Sequence, residues 1–372
     1  MKILFPIGSF YPTTYGGPGT ILYWHGVYLK KHHITPTFVT TTLGITSEVT
    51  TNSFLDLPCG NVYYGRGGVL NLRLLQVMLS EVKKVDIIHL TSLFSPISII
   101  CFLYARLFYP KTKIIWSVRG ELNNNALAIS QKKKTLFLKL YQKLAKQVAF
   151  ASTSPKESDE IKQVFQNNII EIPNVMPSSK QLKRTTTGKR FLFLGRIHPI
   201  KNIDGLIKGF CNSIAAKEEG VFLDIAGDYD ERDLDYLESL KALVTSFGMA
   251  DKISFLGHVA GSAKEVLLAN AYFLILPSHS ENFGNVVIEA LNQGTPIIAS
   301  THTPWQIIER FSCGFWVNNT PKVLETTLNK ALNLDVVTYE TYRAQALKLN
   351  KDVYSIDTRI KDWVKAYHTI LK

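Results

Sequence analysis

The chain has 372 residues, 46% of them hydrophobic and 19% charged, which excludes disorder, collagen and an extended coiled coil and, at about 150 residues per domain, suits two domains. Four scattered cysteines (Cys59, Cys101, Cys211, Cys313) with no CxxC spacing exclude a disulfide scaffold and a structural zinc site and fit a reducing, cytoplasmic setting. The net charge of +12 is uneven: residues 1–180 carry 20 Lys+Arg against 9 Asp+Glu and residues 181–372 carry 22 against 21, so the first half is built to meet something negative, whether nucleic acid, anionic membrane or phosphorylated substrate.

Lys2–Ile7 is a short apolar run with no long h-region or A-x-A site after it, so it reads as a first buried strand and not as a signal peptide. Gly16–Gly19 is a turn, and a helix follows to Lys31. Thr35–Thr41 is β-branched and reads as a second strand. Residues 42–80 carry no readable period. Asp86–Leu90 and Lys113–Val118 are further strands. Leu90–Ala105 has no charge over 16 residues. That is short of the roughly 18–20 needed to cross a bilayer, and Pro96 interrupts it, so a strand and then a buried helix are expected. Val148–Thr153 and Ile169–Ile172 complete the first series. Strands alternating with helices at this spacing predict a parallel sheet covered on both faces.

Pro173, Pro177, Ser178, Ser179 and the run Lys183-Arg184-Thr185-Thr186-Thr187-Gly188 show no apolar period and predict a linker over 177–188. A second series then begins. Its strands are expected at Arg190–Leu194, Val221–Ala226, Ile253–Leu256, Tyr272–Leu276 and Pro296–Ala299. Its helices are expected at Asp204–Phe210, Asp233–Phe247, Ala263–Asn270, Asn285–Gln293, Val323–Leu332 and Asp357–Leu371. The fold class is therefore α/β, with two Rossmann-like, doubly wound domains at 1–176 and 189–355 and a C-terminal helix, 356–372, packing back on the first. Ligands of such sheets bind beyond the carboxyl ends of the strands, which places the expected site in a cleft between the domains.

The sharpest cluster is His279-Ser280-Glu281-Asn282-Phe283-Gly284-Asn285-Val286-Val287-Ile288-Glu289. A strand ends at Pro277, a polar loop follows, and a helix begins near Gly284. The first turn of a helix offers unpaired N–H groups and about half a positive charge, and glycine lets an anion come close, so this is a phosphate cradle. Glu281 and Glu289 flank it, and ionised carboxylates accept hydrogen bonds from sugar hydroxyls. Arg196 and Lys201 follow the strand that ends in Gly195 and can neutralise a leaving diphosphate. Tyr15-Gly16-Gly17-Pro18-Gly19-Thr20 joins the first strand to the first helix, yet it is neither GxGxxG nor a P-loop. Arg119-Gly120-Glu121-Leu122 opens another strand-end loop, where Arg119 can pair with phosphate or hold an acceptor.

Glu281 and Glu289, with seven residues between them, resemble the EX7E signature of retaining glycosyltransferases of the GT-B fold. The surrounding segments are similar to those of glycosyltransferase family four: Gly16-Gly17-Pro18, Asp86-Ile87-Ile88-His89, Ser117–Leu122, Ile172–Val175, Phe193–Asn202, Ile225–Asp228 and Phe255–Val259. The resemblance spans about residues 1–330 and keeps the family's order. It implies that Arg196 and Lys201 bind the donor diphosphate and stabilise the leaving group. Glu281 would contact the transferred sugar, and Asn282, Phe283, Gly284, Asn285 and Val286 would meet the phosphates. Glu289 would bind the ribose, His258 and Val259 would lie near the base, and Gly16 and Gly17 would face the diphosphate. Arg119 stands where some relatives have a catalytic-site histidine. The implied reaction transfers a hexose from a GDP- or UDP-linked sugar to a glycan or lipid-linked acceptor in surface-polysaccharide synthesis, with no metal and no cofactor beyond the sugar nucleotide.

Ser130–Val148 reads SQKKKTLFLKLYQKLAKQV and predicts a basic amphipathic helix. Lys132, Lys133, Lys134, Lys139, Lys143 and Lys146 on it would suit an anionic leaflet, as a peripheral contact with the inner face of the cytoplasmic membrane. The alternative for that helix packs its leucine face on the sheet and leaves only lysines in water. Two other functions stand as alternatives to transfer: a sugar-nucleotide epimerase of the same fold, and a basic nucleic-acid-binding protein. No RRM, KH, helix-turn-helix or zinc-finger pattern supports the latter, and nucleic acid is not an expected partner.

Overall fold

In the computed structural model, residues 1–13, 17–128 and 131–372 are described; the predicted turn residue Gly16 and the start of the basic helix at Ser130 lie outside them. Short runs of three to seven residues become strands in the expected alternation. The first unit holds β1 (Lys2–Pro6), β2 (Thr35–Thr41), β3 (Phe54–Leu57), β4 (Gly60–Gly65), β5 (Ile87–Thr91), β6 (Lys113–Ser117), β7 (Val148–Ser152) and β8 (Ile169–Glu171). They form one sheet in the order β3-β4-β2-β1-β5-β6-β7-β8, parallel except for the β3–β4 hairpin. That hairpin and the helix Leu72–Val82 fill the stretch in which no period was readable.

Both faces of this sheet are covered, so successive strand residues enter different cores. Ile3 and Phe5 of β1 pack with Leu22 and Leu29 of the helix Gly17–Lys31 and with Ile360 of the helix Ile356–Leu371. Leu4 joins the other core, with Met78, Phe102 and Trp116. The charge-free stretch after Leu90 resolves into the end of β5 and the helix Pro96–Phe108, and among the described residues no helix is long and apolar enough to cross a membrane.

The second unit, Ser178–Ser355, carries six parallel strands: β9 (Lys189–Leu194), β10 (Val221–Ala226), β11 (Ile253–Gly257), β12 (Phe273–Leu276), β13 (Ile297–Ser300) and β14 (Gly314–Val317). Their order is β11-β10-β9-β12-β13-β14. The direction of winding reverses between β9 and β12, and the loops after these two strands therefore splay apart and leave a crevice.

Two expectations change. Residues 177–188 are not a loose linker, because from Ser178 onward they belong to the second unit. The Leu182 N–H donates to Gln293 Oε1 (2.9 Å), and the N–H groups of Thr185 and Thr186 share Asn270 Oδ1 (2.7 and 3.2 Å). Backbone groups satisfied by side chains need no apolar period to be fixed. The helix Val336–Leu349 was also missed. It buries only Tyr339, Ala346 and Leu349, too few to print a helical stripe on the sequence.

The first unit comprises Met1–Pro177 with Ile356–Lys372. The C-terminal helix is tied to it by a chain of buried polar groups. Tyr367 Oη meets His25 Nε2 at 2.9 Å and His89 Nδ1 at 2.7 Å, and His89 Nε2 meets Ser117 Oγ at 2.8 Å. Burial pushes His25 down to about 3, with the Arg119 charge adding to the shift, and pushes His89 well below its ordinary value. Both rings are therefore neutral in the folded chain and titrate near 6.5 only when it unfolds. The stability this confers is complete above about pH 6.5 and is lost as pH falls toward the folded value, because the unfolded chain then binds the extra protons. At pH 5.5 the first unit should lose about 1.4 kcal/mol per histidine relative to pH 7.5, and His25→Gln should shallow that slope. Urea midpoints for the first unit that stay flat from pH 7.5 to 5.5 would contradict the buried neutral pair.

Candidate functional site

The crevice of the second unit is bounded by the loop after β9 and the loop after β12. At the end of β9 the backbone passes close to the end of β10. A Cβ on Gly227, whose φ is 154°, would sit 1.8 Å from the Gly195 carbonyl oxygen, so only glycine fits there. Arg196 follows, half-exposed, with Nη1 3.1 Å from Asp230 Oδ2. Asp230 also takes Arg232 at 3.1 Å, and these two guanidinium groups hold its carboxyl below the usual range.

His198 caps the short turn Pro199–Lys201, its Nδ1 accepting from the Ile200 N–H at 3.1 Å. This is a structural role, and it also explains why a histidine sits beside two cations: burial lowers its pKa and keeps it neutral. The turn is then locked to the second loop by Asn202, which is buried and left-handed at φ 55°. Its Nδ2 donates to the Pro277 and Asn319 carbonyls at 3.2 and 2.8 Å. Asn319 reaches the same loop from after β14, donating to the Pro277 carbonyl at 3.0 Å and meeting His279 Nδ1 at 3.0 Å. The His279 N–H donates to the Ile200 carbonyl at 2.8 Å.

This clamp delivers Lys201 to Glu281. The ammonium and the carboxylate are in direct hydrogen-bonded contact, with side chains only 17% and 16% exposed, and Ser278 Oγ lies 3.4 Å from the same carboxylate oxygen. Beyond Glu281, Phe283 turns its ring into the core. It meets the buried Trp305 edge-on at 5.1 Å, and its carbonyl accepts from Trp305 Nε1. The chain then passes through Gly284 at φ 82°, where a Cβ would come within 2.9 Å of Leu276. The helix Asn285–Asn292 starts at the next residue. Asn282, Asn285 and Val286 are partly exposed at that start. Glu289, one turn into the helix, is held by Lys264 at 2.7 Å from the helix Gly261–Asn270.

The structure therefore gathers Lys201, Glu281, the Gly284 turn and the helix start into one place, with Arg196 at the end of the same strand that leads to Lys201. His258 is exposed, 3.9 Å from Asp228, and Val259 lines a largely apolar cavity with Leu256, Ala263 and Val266. Gly17 and Arg119 belong to the first unit, and Gly16 lies outside the described residues. Asn319, Trp305 and Lys264 were not singled out from the sequence. Asn319 lies 117 positions from the Asn202 that it meets and carries no local signature; Lys264 sits among polar residues of an ordinary helix start.

Residues 177–349 match the model described as "Glycosyl transferases group 1". The chain is 37% identical over 119 residues to mannosylfructose-phosphate synthase of Agrobacterium fabrum, covering 31% of this chain and 26% of that protein. It is 30% identical over 164 residues to the O-antigen chain mannosyltransferase RfbU of Salmonella typhimurium, covering 44% of each. The chain spans less than half the length of these curated relatives. The crystal structure of Anabaena Alr3699/HepE in complex with UDP and glucose superposes with a TM-score of 0.77 over 99% of this chain and all of that one, at 16% identity, which shows a shared fold of the GT-B class. The match to the glycosyl transferases group 1 model falls on the second unit.

Proposed function

We propose that the chain is a retaining hexosyltransferase that moves a hexose from a nucleoside-diphosphate sugar to a glycan or lipid-linked glycan acceptor in polysaccharide synthesis. The observation that carries this reading is the Lys201–Glu281 contact set beside the Gly284 turn and the start of a helix. A pyrophosphate needs fixed positive groups, and a sugar ring beside it needs a hydrogen-bond acceptor; both stand here within one contact. The HepE complex, with UDP and glucose bound to a chain of the same fold, supports a nucleotide-sugar donor, and the mannosyltransferase RfbU supports a hexose and a surface glycan.

In this reading the second unit binds the donor. The helix start and Lys201 take the phosphates, and Arg196 leaves Asp230 to join them as charge develops on the departing diphosphate. Asp230 keeps Arg232 as a partner, so the exchange strands no carboxylate. Glu281 accepts from hydroxyls of the transferred sugar, Glu289 with Lys264 faces the ribose, and the apolar wall at Val259 takes the base. The first unit binds the acceptor. Arg196 and Lys201 do the work that a metal would otherwise do, and no further cofactor enters.

The same reading places the first unit on an anionic leaflet. The basic helix spans Gln131–Leu144. Phe137, Leu138 and the buried Tyr141 turn inward, whereas Leu136, Leu140 and Leu144 are 71%, 38% and 38% exposed, at i, i+4 and i+8 along one stripe. Leucines in water beside Lys132, Lys133, Lys139 and Lys143 favour the membrane reading over the solvated one, because that reading puts the leucines against the sheet. Lys134 is a correction. It is partly buried, donates to the Ala126 carbonyl at 2.5 Å and lies over the Phe94 ring at 5.0 Å, so it serves the fold and not the surface.

Lys201→Ala and Arg196→Ala should each lower turnover about 10²–10³-fold with the fold intact, the usual loss for one such donor. Near-native turnover of either purified variant would count against the assignment. Activity should survive excess EDTA; loss that magnesium restores would move the leaving-group charge from Arg196 and Lys201 to a metal. Reversing charge at Lys132, Lys133, Lys139 and Lys143 should abolish co-sedimentation with phosphatidylglycerol vesicles, each lysine contributing about 1 kcal/mol. Failure of the parent chain to sediment with those vesicles would end the membrane reading.

A further inference from the structure

The first unit holds a cation that the donor grip does not use. β6 ends at Ser117, and the chain then passes through two left-handed residues, Arg119 (φ 59°) and Gly120 (φ 73°). A side chain in that region is strained and persists only where its surroundings over-determine it. Glu157 does this. The carboxylate is buried, one oxygen accepting from the Gly120 N–H at 2.6 Å and the other from the Thr153 N–H and hydroxyl at 2.6 and 2.7 Å. Its charge acts on Arg119, yet both its oxygens are occupied by the loop.

The Arg119 guanidinium donates from Nη1 to Asn174 Oδ1 at 2.9 Å, and its Nε is buried with no partner. Among the described residues no carboxylate stands within ion-pair distance of it. Around it His25, His89, Ser117, Thr153 and Asn174 line a cavity with Trp363, at the carboxyl ends of β5, β6 and β7. The two histidines are neutral and bring no counter-charge. The cavity leaves about 20 Å³ for the centres of water-sized groups, which makes it a narrow recess. A partly buried guanidinium whose Nε–H is desolvated and unused, beside a narrow recess, is a receptor for an oxyanion.

We propose that Arg119 receives one oxygen of a phosphate or carboxylate group borne by the acceptor, with the rest of that group at the cavity mouth. That the carrier is the acceptor rests on the transferase reading; the receptor itself rests on Arg119 and its cavity alone. The loop bracing by Glu157 fixes the guanidinium in place, and the acceptor is then selected by its charge before its sugar.

The test uses the full chain carrying Arg196→Ala and Lys201→Ala, which removes the donor-side cations, and reads thermal stabilisation by D-glucose 1-phosphate, D-glucuronate and D-glucose. Saturable stabilisation by an anionic sugar but not by glucose is expected, and the responding anion identifies phosphate or carboxylate. Adding Arg119→Met or Arg119→Lys should raise the dissociation constant at least tenfold; the lysine variant covers the case in which the methionine variant does not fold. No response to either anionic sugar, or a response unchanged by both substitutions, overturns the proposal. UDP stabilisation of the parent chain is measured alongside. GDP is measured in the same way; absence of a response to both would sink the donor reading while leaving the Arg119 result intact, and retention of either response in the single Arg119→Met chain would show that the fold persists.

Discussion

Everything in the second unit depends on bringing one ammonium to one carboxylate across a gap of 80 positions. Neither Lys201 nor Glu281 can do this alone. A partly buried ion pair gains little net stability, because desolvation offsets the attraction. The positioning comes from uncharged amides: Asn202 and Asn319 spend their side-chain N–H groups on carbonyls at Pro277 and beyond, and backbone hydrogen bonds close the loop at His279. Neutral hydrogen bonds hold the loops, and the charged pair is free to serve a ligand.

Charge balance sharpens this picture. Lys201 faces Glu281, Lys264 faces Glu289, and Arg196 shares Asp230 with Arg232, so each of these cations already has a carboxylate. An incoming pyrophosphate must therefore either use the helix start alone or take a cation from its carboxylate. The three pairs differ in what that exchange costs. Arg196 and Asp230 are 47% and 46% exposed, and a pair so wet is worth little. Lys201 and Lys264 are more enclosed and harder to move. In the proposed transfer Arg196 is thus the cation that travels and Lys201 the one that stays.

The strands were legible because a parallel sheet covered on both faces demands continuous apolar runs, and such runs appear at Lys2–Ile7, Arg190–Leu194 and Tyr272–Leu276. The turn into the cradle was legible because Gly284 must adopt a left-handed backbone and stands next to a helical pattern. What escaped was held by contacts and not by pattern. The hairpin β3–β4 sits at a sheet edge, where Phe54 and Asp56 face water and the apolar run breaks. Residues 178–188 are fixed by Asn270 and Gln293 from distant helices. The lysines of Gln131–Leu144 looked equivalent along the sequence, and only the Ala126 carbonyl and the Phe94 ring single out Lys134.

The excess charge of the first half divides into two kinds with different physics. The lysines of the amphipathic helix stand in water, where a Debye length of about 8 Å at physiological salt limits them to a surface already close. They can hold the chain near a leaflet but cannot discriminate among the molecules in it. Arg119 is partly buried with its Nε out of water, where screening is weak and a mismatched partner leaves a buried donor unpaired. A surface patch of one sign gathers anionic material; a single partly buried guanidinium chooses within it. In the proposed scheme, placing both on one unit lets the same sign of charge serve first location and then selection.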